Sequence, residues 1–132
     1  MSAKILVVED NPTNLKLVSH VLEFAGYDIL KATDAEEAQL ILAATLPDLI
    51  LMDIALPGMD GLTLTRKLKA EERTRGIRIV ALTAFAMKGD EQKAFDAGCD
   101  GYITKPIDIR QLVEQIAKML ERATAPASKT TY

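Results

Sequence analysis

The chain has 132 residues, of which 48% are apolar and 27% are charged, with a formal net charge of −3. This length favours one compact domain with an ordinary globular core. The acidic balance argues against nucleic-acid binding, which usually needs a basic surface, and against docking on anionic membranes. No apolar run approaches the ~20 residues that span a bilayer, there is no signal-peptide pattern, and the single cysteine excludes an internal disulfide. We therefore expect a small cytoplasmic domain.

The N-terminal third of the chain begins with an apolar run and continues with a helical period. Residues 5–8 are uninterrupted apolar side chains, which is typical of a parallel strand buried on both faces. Apolar residues then recur every three or four positions, with Asn11 as N-cap, Pro12 in the first turn and Gly26 at the end. A second strand is predicted over residues 27–32.

The middle of the chain repeats this alternation. Asp34, with Glu37 three residues later, resembles a capping box for a helix that runs through Leu46 and is closed by Pro47. The third strand, residues 49–52, is again fully apolar and ends at an aspartate. Turn residues follow, and then a helix with three leucines on its inner side.

The C-terminal part predicts two further strand–helix units. The fourth strand covers residues 77–82, and its helix runs from about residue 88 to Gly98. A short fifth strand at residues 102–103 precedes a helix that Asp108 caps and that runs to about residue 122. Residues 1–122 are thus expected to form the domain, and residues 123–132 a flexible tail.

Five strand–helix repeats predict an α/β fold with a five-stranded parallel sheet and helices on both faces. The common doubly wound strand order is 2-1-3-4-5, as in flavodoxin-like folds. Ligands of such sheets bind at the carboxyl ends of the strands, near the point where the strand order reverses.

Polar or charged residues directly follow four of the predicted strands. Glu9 and Asp10 follow the first strand, Asp53 the third, Thr83 the fourth and Lys105 the fifth. Taken singly, these residues are commonly helix caps or surface charges. Together at one edge they provide a nucleophile, a hydrogen-bond donor, a counter-charge and oxygen ligands for a metal ion, which is the equipment for phosphoryl transfer.

Four segments of the chain resemble the receiver domains of two-component response regulators. They are V-E-D-N at residues 8–11, M-D-I-A-L-P-G-M-D-G at 52–61, A-L-T-A at 81–84 and Y-I-T-K-P at 102–106. The resemblance covers about residues 4–122. The stretch 83–90 is further similar to single-domain regulators of the DivK type, and also to receivers fused to hybrid histidine kinases.

The resemblance implies a role for each site residue. Asp53 would be the phosphoacceptor, and Glu9, Asp10 and the backbone carbonyl of Ala55 would hold Mg²⁺, for which Mn²⁺ could substitute. Lys105 would pair with the phosphoryl group.

The resemblance also implies a conformational switch. Thr83 would hydrogen-bond the phosphoryl group and Tyr102 would turn inward, so that the face formed by helix 4, strand 5 and helix 5 changes. A cis peptide bond is expected between Lys105 and Pro106. Self-dephosphorylation should be slow, because Ala55 and Phe85 stand where rapidly hydrolysing relatives carry polar residues.

The partners implied are a histidine kinase or histidine phosphotransfer protein and a downstream protein target, with no nucleic acid or membrane, and a monomer or weak dimer. Because no output segment follows residue 122, the output is expected to be protein binding or phosphate relay rather than enzymatic activity on another substrate. The alternatives are a receiver cut from a hybrid kinase and a scaffold that is never phosphorylated. A haloacid dehalogenase-type phosphatase is disfavoured by Ala55, which stands where those enzymes carry a second aspartate. A nucleotide-binding module is disfavoured by the acidic loop after the first strand.

Overall fold

The computed structural model describes residues 3–83 and 89–124, in which five strands and five helices alternate. The elements are β1 Lys4–Val8, α1 Pro12–Phe24, β2 Asp28–Ala32, α2 Ala35–Ala44, β3 Leu49–Asp53, α3 Gly61–Ala70, β4 Arg78–Thr83, α4 Asp90–Ala97, β5 Gly101–Thr104 and α5 Ile109–Thr124. All strand pairs are parallel, and the strand order is β2-β1-β3-β4-β5. This confirms the predicted fold class and strand order.

The sheet separates two apolar layers. Alternate residues of each central strand point to opposite faces, so that Leu6 and Ile50 join one cluster while Ile5 and Leu49 join the other. The first cluster is covered by α2, α3 and α4, and the second by α1 and α5. Because the inner strands are buried on both sides, their sequences are continuous apolar runs.

The ends of α2 differ from the prediction. The helix stops at Ala44, and Thr45 is already extended, with φ −143°. The prediction that the helix extends to Leu46 was wrong, because a residue that precedes a proline is disfavoured in the helical region. At the N-terminus, Asp34 accepts a hydrogen bond from the Glu37 amide as predicted, but the Glu37 carboxylate accepts from the Thr33 amide, at 2.7 Å, instead of from the Asp34 amide.

The C-terminal elements follow their predicted signals. Gly98 ends α4 with φ +110°, and Asp108 Oδ1 accepts hydrogen bonds from two amides of the first turn of α5. Because α5 runs on to Thr124, the predicted domain boundary after residue 122 falls inside this helix. The rest of the predicted tail, and the predicted positions of Phe85 and Lys88, lie outside the described residues.

Over the described part of the chain, none of the helices combines the length and the apolar character that crossing a bilayer requires.

Candidate phosphoryl and metal site

The predicted site residues meet at the carboxyl edge of the sheet. Glu9 and Asp10 directly follow β1, Asp53 ends the adjacent β3, Thr83 ends β4 and Lys105 follows β5. The strand register places the ends of these strands side by side, since Val8 lies opposite Met52 and Asp53 lies opposite Leu82. Glu9, Asp53 and Thr83 are buried, with 0%, 2% and 3% of their surfaces exposed, whereas Asp10 is exposed.

Lys105 places its ammonium between two buried carboxylates. Its Nζ lies 2.8 Å from Glu9 Oε1 and 3.3 Å from Asp53 Oδ2. Burial alone would lower the pKa of Lys105, but the two carboxylates outweigh that effect and raise it above its usual value. The backbone fixes this position, because the Lys105 amide donates to the Thr83 carbonyl at 2.7 Å. The peptide bond that follows, between Lys105 and Pro106, is cis.

The Glu9 carboxyl has a raised pKa. Burial raises its pKa from 4.5 to about 7, and the neighbouring Asp53 carboxyl adds to the shift. Lys105 and the Asn11 amide, which donates to Glu9 Oε2 at 3.1 Å, oppose this shift without overcoming it. Among the described residues, the site thus brings three carboxyl groups close to one ammonium.

The donor set fits a hard divalent cation. Glu9, Asp10 and Asp53 each offer a carboxylate oxygen, and these atoms lie within 4.8 Å of one another. Carboxylates arranged on an open edge are the ligands that Mg²⁺ prefers, and Mn²⁺ accepts the same set. Asp53 presents its carboxylate in a fixed orientation, because Oδ1 accepts a hydrogen bond from the Ala55 amide at 3.0 Å.

A groove borders Lys105. Its volume is about 490 Å³, and it is lined by Asn14, Leu17, Lys105, Pro106 and Ile107. The lining combines the first half of α1 with the loop after β5, and Lys105 is the site residue that it includes.

The predicted switch residue Tyr102 and the single cysteine pack against the core rather than among the carboxylates. Tyr102, within β5, is half-buried and packs against the cluster under α2, α3 and α4. Cys99 is buried in that same cluster, and burial raises its pKa to about 11, so its thiol is not a nucleophile at neutral pH.

One contributor to the site was missed by the sequence analysis. Gly61 was placed in a predicted turn and ended the segment 52–61 that resembles receiver domains, but it was given no role; in the structure it packs directly against the backbone of Asp53 and Ile54. Its amide donates to the Ile54 carbonyl at 3.0 Å, which closes the loop between β3 and α3. A glycine in a segment that is already rich in turn residues carries no signal of this contact.

Comparison with known proteins agrees with the site geometry. Residues 5–117 match the family described as the response regulator receiver domain. The polar-differentiation response regulator DivK of Brucella ovis is 42% identical over 120 residues, covering 91% of this chain and 98% of that protein.

Solved structures of receiver domains are similarly close. The signal receiver domain of a histidine kinase from Syntrophus aciditrophicus is 35% identical with a TM-score of 0.85, covering 91% of each chain. The receiver domain of a sensor histidine kinase from Pseudomonas aeruginosa is 34% identical with a TM-score of 0.84, covering 92% of this chain and 99% of that one. That structure has a magnesium ion coordinated in its active-site cleft.

The fold and the edge of carboxylates, hydroxyl and ammonium define a receiver domain of two-component signalling. The chain belongs to the response regulator receiver family, and among the proteins compared it is similar over almost its whole length to DivK.

Proposed function

We propose that this protein is a response regulator that accepts a phosphoryl group on Asp53 from a phosphohistidine of a histidine kinase or a histidine phosphotransfer protein. The observation that carries the proposal is the buried Asp53 carboxylate, which lies 3.3 Å from Lys105 and shares an edge with two further carboxylates. Capping or surface solvation does not account for two buried acids paired with one ammonium and a third carboxylate within 4.8 Å of them.

In the proposed step, a carboxylate oxygen of Asp53 attacks phosphorus while the phosphorus–nitrogen bond of the donor breaks. The bonding electron pair returns to the imidazole, which leaves as a neutral ring after taking a proton. Lys105 then pairs with the phosphoryl oxygens, and the Thr83 hydroxyl at the end of β4 donates to one of them. When bound by Glu9, Asp10 and Asp53, Mg²⁺ would neutralise charge on the transferred group.

Phosphorylation adds a charge of about −1.5 to −2 to a buried position, which is enough to bias two packings of the chain. We propose that Thr83 moves towards the phosphoryl group and that the half-buried Tyr102 ring turns into the space it leaves. The surface formed by α4, β5 and α5 would then bind a downstream protein, or the phosphoryl group would pass to another relay protein.

The phosphorylated form should be long-lived. Ala55, two residues after the phosphoacceptor, has no side-chain group that could hold an attacking water. Hydrolysis would then depend on a partner phosphatase or on return of the phosphoryl group to its donor. A half-life of seconds without a partner protein would contradict this expectation.

On this proposal the chain turns over no substrate other than its own phosphoryl group, and it works in the cytoplasm as a monomer or weak dimer. Its partners are a phosphohistidine donor and a protein target. The competing proposal is a receiver-like scaffold that is never phosphorylated.

Intact mass measured over time, with Mg²⁺ and a small-molecule phosphodonor, tests the proposal. One added phosphoryl group is expected on the wild-type chain and none on Asp53→Asn or in excess chelator. Asp28→Asn, at the exposed start of β2 and therefore at the opposite edge of the sheet, is the matched control and should react as the wild type does. If the wild type gains no phosphoryl group from either this donor or a panel of purified phosphohistidine proteins, the scaffold account replaces the proposal.

A further inference from the structure

Gly61, the first residue of α3, lies against the backbone of the proposed phosphoacceptor. A methyl group at this position would overlap the Asp53 carbonyl oxygen and lie 2.9 Å from Ile54 Cα. Both are backbone atoms, which cannot rotate away as the end of a long side chain can. Gly61 does not have a positive φ, so its backbone conformation is open to any residue, and only the contact excludes a side chain.

Hydrogen bonds hold Gly61 in this position from both sides. Its amide donates to the Ile54 carbonyl, and its own carbonyl accepts from the Thr65 hydroxyl at 2.8 Å. Thr65 is fully buried in α3. Asp60, the residue before Gly61, caps the helix by accepting a hydrogen bond from the Thr63 amide at 2.8 Å. The Gly61–Ile54 bond therefore ties the start of α3 to the loop after Asp53, and the other two bonds fix the shape of the helix start.

The contact bears on the reactive carboxylate through the loop after β3. The Ala55 amide, two residues beyond Asp53, orients the carboxylate through the 3.0 Å hydrogen bond to Oδ1. A side chain at position 61 would push the Asp53–Ile54 peptide aside by a distance on the order of 1 Å. Displacements of this size between reacting groups cost on the order of 10²-fold in rate.

We propose that Gly61 is a positioning residue for Asp53: its missing side chain lets α3 seat against the Asp53 carbonyl and thereby fixes the direction of the carboxylate. This inference rests on the proposed function, because it concerns the rate at which Asp53 becomes phosphorylated. It adds to that proposal a residue that touches neither the phosphoryl donor nor the metal ligands' side chains.

The chain provides a matched control glycine. Gly76 also lacks a positive φ, and a methyl group there would meet no atom within 4 Å. Gly76→Ala therefore tests the loss of a glycine without the contact. Thr65 offers a second pair of variants, because Thr65→Val removes the hydroxyl that anchors Gly61 while Thr65→Ser keeps it.

The experiment measures phosphorylation by a small-molecule phosphodonor, by intact mass, at saturating Mg²⁺ and over a range of donor concentrations. Gly61→Ala is expected to lower the rate at saturating donor about 10- to 100-fold, with little change in the half-saturating donor concentration. Gly76→Ala should stay within twofold of wild type. Thr65→Val should react more slowly than wild type, by about threefold or more, and Thr65→Ser should restore the rate.

Folding is followed in the same samples by amide NMR spectra and urea unfolding. A rate for Gly61→Ala within twofold of wild type, or a loss no larger than its unfolded fraction, would overturn the inference. If Gly61→Ala fails to fold, equal rates for Thr65→Val and Thr65→Ser would overturn it. A folded wild-type chain that gains no phosphoryl group from this donor or from the panel of purified phosphohistidine proteins would instead refute the proposed function, and the inference with it.

Discussion

Two charged clusters lie at opposite edges of the same sheet, and they are balanced differently. At the amino edge, the Asp100 carboxylate forms ion pairs with Lys69 Nζ at 3.1 Å and Arg78 Nη1 at 3.6 Å. It also accepts a hydrogen bond from the Ile79 amide at 2.9 Å. One carboxylate there has two cations and an amide, and the cluster ties α3 to the starts of β4 and β5.

At the carboxyl edge, carboxylates outnumber cations among the described residues. Glu9 and Asp53 share the ammonium of Lys105, and the carboxylate of Asp10 lies within 4.8 Å of theirs. The pKa of Glu9 is raised to about 7, mainly by burial. A compensated cluster stabilises the fold, whereas an uncompensated one costs stability and persists where a ligand completes it. The comparison shows that the balance of charge, rather than the number of acidic residues, distinguishes the site from the structural cluster.

The largest effect should come from exchanging one lysine at each edge. Lys105→Gln is expected to slow phosphorylation by the small-molecule donor on the order of 10²-fold, because it removes the cation that would meet the phosphoryl oxygens. Lys69→Gln removes a lysine of the other cluster and should leave the rate within twofold of wild type. Time-resolved intact mass measures both, and equal losses in the two variants would refute the distinction between the edges.

The opposite pattern should hold for stability. Asp100→Asn is expected to lower the free energy of unfolding by about 1–2 kcal/mol, since it removes two partly exposed ion pairs and weakens one hydrogen bond. Its phosphorylation rate should not change. Urea unfolding is the measurement, with Asp28→Asn, an exposed residue at the start of β2, as the control. An Asp100→Asn chain as stable as wild type would show that the amino edge is not a structural cluster.

Much of this arrangement was predictable from the sequence. Strand ends follow from apolar runs and turn residues, and the strand order is the common one for a five-stranded doubly wound sheet. Those signals placed Glu9, Asp53 and Lys105 at one edge. They did not show that Lys105 lies 2.8 Å from Glu9, since a sequence does not specify the distance between side chains from different strands. Nor did they reveal the contact of Gly61 with Asp53, which depends on how closely α3 approaches β3.

An effect of similar size on stability should be a pH dependence that belongs to the carboxyl edge. Because the pKa of Glu9 is raised in the folded chain, the stability linked to this group is present below about pH 4.5 and is lost as the pH rises through about 7. Glu9→Gln carries no charge and avoids that loss. Without divalent cations, the variant should gain about 1–3 kcal/mol over wild type between pH 5.5 and pH 8.5.

Urea unfolding at the two pH values measures this gain. Glu91→Gln, which removes an exposed carboxylate on α4, is the control and should show no comparable change. If the difference in the free energy of unfolding between Glu9→Gln and wild type stays constant or shrinks with rising pH, the raised pKa assigned to Glu9 is contradicted.

The central claim is that the carboxylates at the carboxyl edge need a bound divalent cation. At the amino edge, by contrast, Lys69 and Arg78 already balance the charge of Asp100. A titration of the wild-type chain with MgCl₂, followed by amide NMR, tests it most directly. The account predicts saturable shifts centred on the amides of Asp10, Asp53 and Ala55, abolished in Asp53→Asn and retained in Asp100→Asn. No saturable shift at these amides, or shifts that persist in Asp53→Asn, would contradict it.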